Sequence, residues 1–532
     1  MNRRGFLKAG ATAAIATLAG SGRAFAADAE IELSLGEPGA VISPHIYGHF
    51  IEHLGGVIYD GVWVGRNSSI PNVNGIRKQF VDDMKRIGAP NLRWPGGCFA
   101  DGYHWRDGIG DASRRPRTYN FWQGRMPAGI DATETNQFGV HEFMHLCRLI
   151  GAEPYLAANV GSGTPAEFHD WVSYCNAPMG TVSLADQRAV DGDKEPFGVR
   201  YWGVGNESWG CGGTMKPAEY AALYRRFVTQ FPGYTEPFLV ATGPRGHSAD
   251  GDIGWTTGFF EAMRGFEPPH GFSLHFYTDL RPTPLKAGDF KAPEWYEVLL
   301  RGVRLEKVIE DHWKEMGKFD AVHRAKLVVD EWGVWYPPGS EITPAYILSE
   351  TITLRDAVHT GMTFDILNRH ADKIVMANVA QSVNCIHSLF LAQGAKFVRT
   401  PVYYVFDMYR SHMGARQVAV KNPAPELNVP ALAGQARLPG LSASASIRDR
   451  RLAVTLTNPS LDTALSVRIQ LAGGRVTEAQ GLVLTHQDMR ATNTFADPDQ
   501  VKPAVHPVRV VADSPVVSLP KQAVVLVECE IV

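Results

Sequence analysis

From about residue 40 to residue 395, short runs of β-branched and aromatic residues alternate with longer stretches in which apolar residues recur every three or four positions. The short runs predict strands near Ile42–Phe50, Asn91–Trp94, Pro154–Val160, Arg200–Val204, Pro237–Thr242, Gly271–Phe276, Lys326–Asp330 and Ile374–Ser382. The longer stretches predict helices, among them Gly75–Ile87, Glu134–Ile150, Pro217–Phe231, Trp255–Arg264, Leu299–Met316 and Ala345–Thr360. Strands alternating with helices argue for a parallel sheet, because each return to the same edge needs a crossover. Eight such units predict an α/β fold of the (β/α)8 TIM-barrel type, whose chemistry sits at the C-terminal ends of the strands.

Beyond about Thr400 the period changes to two. Leu441–Ile447, Arg451–Asn458, Ala464–Leu471, Arg509–Val511 and Ala523–Val532 alternate apolar with polar residues and are separated by turn formers. This pattern predicts a C-terminal antiparallel β-sandwich domain. The strand-like Ala29–Gly36 precedes the barrel and is expected to join that sandwich. The expected division is residues 1–26 as a leader, 27–40 as that strand, 41–398 as the barrel and 399–532 as the sandwich.

The chain has 532 residues, 45% of them hydrophobic and 20% charged, with a formal net charge of -3. That length exceeds one ordinary core and fits a large domain with a smaller one. The balance carries no nucleic-acid footprint and no polybasic membrane patch. Twelve Trp and seventeen Tyr suit sugar binding, since aromatic faces stack on the C–H faces of sugars. At the N-terminus, Asn2-Arg3-Arg4-Gly5-Phe6-Leu7-Lys8 resembles a twin-arginine export signal, followed by a short apolar run and Ala24-Phe25-Ala26. Cleavage after Ala26 and export to a bacterial periplasm are expected, with no membrane insertion afterwards. Cys98, Cys147, Cys175, Cys211, Cys385 and Cys529 form no C-x-x-C pair. Because the twin-arginine route carries chains already folded in the cytosol, reduced, buried cysteines are the expectation.

Two of the strand runs end in carboxylates. Val199 to Gly210 closes on Gly205-Asn206-Glu207 before Ser, Trp and Gly turn the chain away, and Lys326-Leu-Val-Val-Asp-Glu-Trp-Gly333 delivers Glu331. These are the fourth and seventh strands, so both carboxylates emerge on one rim. Breaking a glycosidic bond needs such a pair: one acid protonates the departing oxygen while a second carboxylate attacks the anomeric carbon or activates water. Glu207, preceded by an Asn able to hold a sugar 2-hydroxyl, suits the acid/base role, and Glu331 suits the nucleophile.

With these residues in view, the chain resembles an α-L-arabinofuranosidase of glycoside hydrolase family 51. The likeness runs from about Ile46 to Gln381 and rests on Tyr47-Gly-His-Phe-Ile-Glu-His-Leu-Gly55, Leu92-Arg-Trp-Pro-Gly-Gly-Cys-Phe-Ala-Asp-Gly-Tyr-His-Trp105, Tyr201-Trp-Gly-Val-Gly-Asn-Glu207, Ser273-Leu-His-Phe-Tyr277 and Val329-Asp-Glu-Trp332. The resemblance implies a barrel with a sandwich and a retaining exo-hydrolase acting on terminal α-L-arabinofuranosyl groups of arabinan, arabinoxylan or their oligosaccharides. It implies no metal and no cofactor, and relatives are often homo-oligomers. Residue by residue, it makes Glu207 the acid/base and Glu331 the nucleophile. Asn206 contacts the 2-hydroxyl, and Glu52 holds arabinose hydroxyls. Cys98 and Gln381 become sugar contacts, and His275 and Tyr277 flank the site, with Tyr277 orienting the nucleophile. Arg93 and Trp94 shape or brace the pocket. Gly333 stands where relatives often carry Asn, which implies a wider aglycone side.

Other readings compete. His141-Glu142-Phe143-Met144-His145 spells the H-E-x-x-H zinc-protease pattern on a helix, although Arg148 replaces the Gly of its extended form and the helix falls on the outer ring of the barrel. An endoglucanase or β-xylosidase would use the same pair of carboxylates, and a non-catalytic carbohydrate-binding protein would not need it.

Overall fold

The computed structural model describes residues 28–125, 131–342, 346–422 and 424–532. The leader expected at 1–26 lies outside them, as does Ala345, from which one helix was expected to start.

Eight parallel strands close into a barrel: β1 (Gly48–Phe50), β2 (Asn91–Trp94), β3 (Glu153–Ala158), β4 (Tyr201–Val204), β5 (Phe238–Ala241), β6 (Gly271–Asp279), β7 (Lys326–Trp335) and β8 (Ile374–Val379). They are buried on both faces, which is why they read as continuous apolar runs. Tyr155, Tyr201, Val240, Val328 and Met376, from five of the strands, form a small cluster of their own apart from the helix-facing core. At the rim the pairing of β6 with β7 slips. Ser273 faces Val328, but His275 faces Glu331, so two steps on β6 match three on β7. This bulge matters for the site, because successive residues of a regular strand point to opposite faces.

The helices obey ordinary end signals. Pro165–Asn176 starts behind Thr164, whose hydroxyl accepts the Glu167 N–H, and has Pro at its first turn. Lys78–Ile87 stops at Gly88, which adopts the left-handed conformation at φ 67°. The single helix expected over Leu299–Met316 is two, Ala292–Gly302 and Arg304–Gly317, with Val303 at the joint. Among the described residues no helix is long and apolar enough to cross a membrane.

Ten strands form the second sheet, antiparallel except where Ala29–Ser34 runs parallel to Leu465–Ala472. Strands far apart in the pairing order share its core, with Ile31, Val467 and Val517 meeting Val454, Val525 and Val527. A helix, Pro401–Tyr409, intervenes after Thr400, and the first strand of this sheet beyond the barrel starts at Arg416. Helix Leu354–Arg369 is wedged between barrel and sheet and is buried along nearly its whole length. Its Asp365 accepts hydrogen bonds from Ser444 and Thr455 of the sheet and from Tyr409, so the contact between the two halves is a satisfied polar network.

Candidate active site

The C-terminal rim gathers Glu52, Arg93, Cys98, Asn206, Glu207, His275, Tyr277, Glu331 and Gln381. The Arg93 guanidinium, 1% exposed, is at the centre. It donates to Glu331 Oε1 at 2.7 Å and to Asn206 Oδ1 at 2.7 Å, and its Nε lies 3.7 Å from Asp330. Tyr277 donates its hydroxyl to the other Glu331 oxygen at 2.9 Å. Both Glu331 oxygens are thus held by protein donors, which aims the carboxylate. Glu207 follows Gly205 (φ 94°) and itself sits at φ 40°, a turn that lifts its side chain off the end of β4. Its Oε1 is 3.0 Å from His275 Nδ1, and that nitrogen is also 3.3 Å from Glu331. Ligand atoms of Glu207, His275 and Glu331 all lie within 4.8 Å of one another. Retaining glycosidases place their two carboxyl groups about 5–5.5 Å apart, and inverting ones leave room for a water between them.

Glu52, at the end of β1, accepts the Phe99 N–H at 2.9 Å and the Gln381 amide at 2.8 Å. Between Glu52 and Glu331 runs Gly97. A Cβ there would fall 3.0 Å from both Glu52 oxygens and 3.2 Å from Glu331, so only glycine lets the backbone pass between the two carboxylates. Burial, and then the Glu331 charge, push the Glu52 carboxyl up to about 7 against the pull of Phe99 N–H, Arg93 and Gln381. The folded protein therefore favours protonated Glu52. The stability this provides is full below the unfolded value of 4.5 and is lost as pH rises toward 7. The difference is worth about 3 kcal/mol. Glu52→Gln is expected to raise the denaturation midpoint at pH 8 and flatten its fall between pH 5 and 8 while lowering activity. A midpoint that moves equally at pH 4.5 and pH 8 would refute the titration.

Sequence reasoning passed over Asp330. It accepts from Ser273 Oγ at 2.6 Å and Tyr155 at 2.8 Å and lies 3.4 Å from His275 Nε2. The β7 bulge is what allows neighbouring Asp330 and Glu331 both to turn toward the site. Burial would lower the His275 pKa, but Glu331, Asp330 and Glu207 together outweigh it and raise the imidazole to about 10. The cation lowers Glu207 in turn, against burial, with smaller help from His247 and Arg93. Asp330→Asn removes one of the three carboxylates. The His275 charge, present below its raised value and lost above it, should then disappear at lower pH. The alkaline limb of kcat/KM is expected to fall from near 10 to below about 9. An unmoved limb would show that Asp330 is only a packing residue.

Two expectations need correction. The six cysteines are not all reduced: Cys98 and Cys211 form a disulfide, with sulfurs 2.09 Å and Cα atoms 5.6 Å apart. The loops after β2 and β4 bring them together, and 113 residues of separation hide the pairing from any reading of spacing. Cys147, Cys175, Cys385 and Cys529 are free and buried. Gly333, at φ 152°, does not open the aglycone side. A Cβ there would come within 2.5 Å of the His387 Cβ, so the space is filled by a neighbouring side chain. The H-E-x-x-H helix is committed elsewhere. His141 bonds Asp193 and Tyr174 through its two nitrogens, each at 2.6 Å, and Glu142 caps its own helix and pairs with Arg115. Among the described residues, neither group of side chains able to hold a metal contains His141 or His145.

Comparison with known proteins agrees with this geometry. Two family models match, the α-L-arabinofuranosidase 1 domain over residues 83–251 and the α-L-arabinofuranosidase C-terminal domain over residues 330–522. The chain is 36% identical to an intracellular exo-α-L-arabinofuranosidase of Bacteroides ovatus over 92% of this chain and 93% of that one. The chain belongs to glycoside hydrolase family 51, the α-L-arabinofuranosidases. Among family 51 structures, that of the arabinofuranosidase from Xanthomonas axonopodis pv. citri superposes with a TM-score of 0.88 at 36% identity, covering 95% of this chain and all of that one. A Thermotoga maritima α-L-arabinofuranosidase in complex with arabinose gives 0.82 at 30% identity, covering 94% and all. A Streptomyces lividans relative, named an intracellular exo-α-(1→5)-L-arabinofuranosidase, is 31% identical over 88% of this chain and 70% of its own length. The names of the Bacteroides and Streptomyces family members contradict the expectation of export to a periplasm.

Proposed function

We propose that this chain hydrolyses terminal, non-reducing α-L-arabinofuranosyl groups with retention of configuration. Glu331 acts as nucleophile and Glu207 as acid/base. The observation that carries this reading is the convergence of the two carboxylates on one spot, with both oxygens of Glu331 oriented by Arg93 and Tyr277. In the first step a bond forms between a Glu331 oxygen and the anomeric carbon as the glycosidic C–O bond breaks. The electron pair of that bond leaves with the aglycone oxygen, which takes a proton from Glu207. In the second, Glu207 takes a proton from water, and the resulting hydroxyl displaces Glu331. Between turnovers this proton rests on His275, whose raised basicity holds Glu207 as the carboxylate, and it crosses their hydrogen bond to Glu207 as the aglycone leaves. Asn206, fixed by Arg93, faces the sugar 2-hydroxyl, while Glu52 and Gln381 hold further hydroxyls. Cys98 lines the same wall beside Glu207.

Arabino-oligosaccharides released from arabinan or arabinoxylan are the expected substrates. Proton NMR of the first product formed from such an oligosaccharide tests sugar, end and stereochemistry together. The α-anomer of free arabinose appearing first supports the reading. The β-anomer first, internal cleavage, or turnover of β-xylosides and cellulose in preference overturns it.

A further inference from the structure

The disulfide lies against the acid/base. Both Cys98 Sγ and Cys211 Sγ are 3.6 Å from the same atom, Glu207 Oε2. The other Glu207 oxygen is engaged by His275, so Oε2 is the oxygen left facing the sulfurs. All three residues are partly exposed at the rim, which makes them reachable by a small ion or a dithiol, and their ligand atoms form one of the groups close enough to share a metal. In the disulfide form the sulfurs are poor ligands. Reduced, each becomes a thiol that ionises to a soft donor.

We infer that reduction of the Cys98–Cys211 bond creates an inhibitory site for a thiophilic divalent cation, Zn²⁺ above all, held by the two thiolates and Glu207 Oε2. A dithiol reductant supplies two electrons and two protons to the S–S bond and leaves as its own cyclic disulfide. The cation then displaces the two thiol protons into solvent. Zinc–sulfur bonds of about 2.3 Å and zinc–oxygen bonds of about 2.0–2.2 Å at tetrahedral angles require sulfur-to-oxygen separations of about 3.5–3.7 Å, a range that includes the 3.6 Å present. They require sulfurs about 3.8 Å apart, which is close to the separation of two unbonded sulfur atoms after reduction. Water takes the fourth position. The Asn206 amide, 3.6 Å from Cys211 Sγ and 4.0 Å from Cys98 Sγ, favours the thiolates. With Oε2 on the metal, Glu207 can neither give nor take the proton, so catalysis stops until the ion is removed. A thiol-buffered compartment favours reduction of this bond, and the Bacteroides and Streptomyces relatives are named intracellular.

The test compares the full chain, untagged, in its oxidised form and after dithiol reduction and anaerobic removal of the reductant. Co²⁺ serves as a spectroscopic probe and Zn²⁺ as inhibitor. The reduced protein should bind one equivalent of Co²⁺ with a thiolate-to-cobalt charge-transfer band, and the oxidised protein none. Equimolar Zn²⁺ should lower turnover of an aryl α-L-arabinofuranoside with a poor leaving group by at least about 100-fold in the reduced form alone, reversibly with a chelator. Cys211→Ser and Cys98→Ser should each lose the band. No band in the reduced wild type, an equal band in the oxidised one, or a band surviving in both variants would overturn the inference. The inhibition arm rests on the role proposed for Glu207, whereas the cobalt spectrum is independent of it. An oxidised protein inactive on every arabinofuranoside would refute that role and leave the binding result standing.

Discussion

Glu331→Ala is expected to reduce hydrolysis of an aryl α-L-arabinofuranoside by at least about 10⁴-fold, because the covalent step loses its attacking group. Sodium azide should restore turnover and give the β-configured arabinosyl azide. Removing the Glu331 side chain opens space directly in front of Arg93 and Tyr277, and the Arg93 cation favours an anion there. Azide seated in that space attacks from the face opposite the leaving group. No second displacement follows, so the single inversion persists in the product. The rescue separates two roles that a loss of activity cannot. If Glu331 only neutralised Arg93 and His275, azide would restore charge without forming a bond to carbon, and no glycosyl azide would accumulate. Absence of that product, with the variant still folded, would move the nucleophile elsewhere.

The barrel was legible because its strands are short, apolar on both faces and cut off by Gly, Pro or polar residues. Asn91–Trp94 coincides with its predicted limits, and Tyr201–Val204 differs by one residue. Gly75–Ile87, Pro217–Phe231 and Trp255–Arg264 lie within three residues of the observed Lys78–Ile87, Pro217–Val228 and Ile253–Ala262, whereas Glu134–Ile150 starts six residues before Val140–Ile150 and Leu299–Met316 merges two helices. Leu354–Arg369 was placed too early because it is buried all round and carries no polar face to set its period. Pro165–Asn176 and Ser183–Asp191 went unread, although Thr164-Pro165 before Glu167 is a start signal that was there to use.

The candidate site divides differently. Glu207 and Glu331 follow from strand ends and barrel closure, whereas period two only places His275 and Tyr277 on one face, and it is the family resemblance that marks them as site residues. Asp330 could not be placed that way, since strict alternation turns it away from Glu331, and only the slip between β6 and β7 brings both to the rim. Arg93 stood in a visible motif, but its contacts with Asn206 at the end of β4 and with Asp330 and Glu331 on β7 join distant strands and exist only in three dimensions. Cys211 is four residues beyond Glu207, yet nothing in that spacing points to Cys98.

The acid/base role makes the second large prediction, and its size depends on the leaving group. Glu207→Ala should lower hydrolysis of arabino-oligosaccharides by about 10²–10⁴-fold, the usual contribution of a positioned proton donor. An aryl arabinofuranoside whose phenol leaves readily as the anion should lose far less in its first step, because no proton is needed to expel it. The arabinosyl ester on Glu331 should then accumulate as a burst, since Glu207 is also the base that activates water. His275 keeps Asp330 and Glu331 as partners in the variant, so its cation should persist and Glu331 should stay oriented by Arg93 and Tyr277. Equal losses on both substrates, without a burst, would mean that Glu207 shapes the pocket and does not transfer the proton. His275 would then be the remaining group placed to deliver it, and the pH profile of His275→Phe, with its limb near 10 removed, would decide that point.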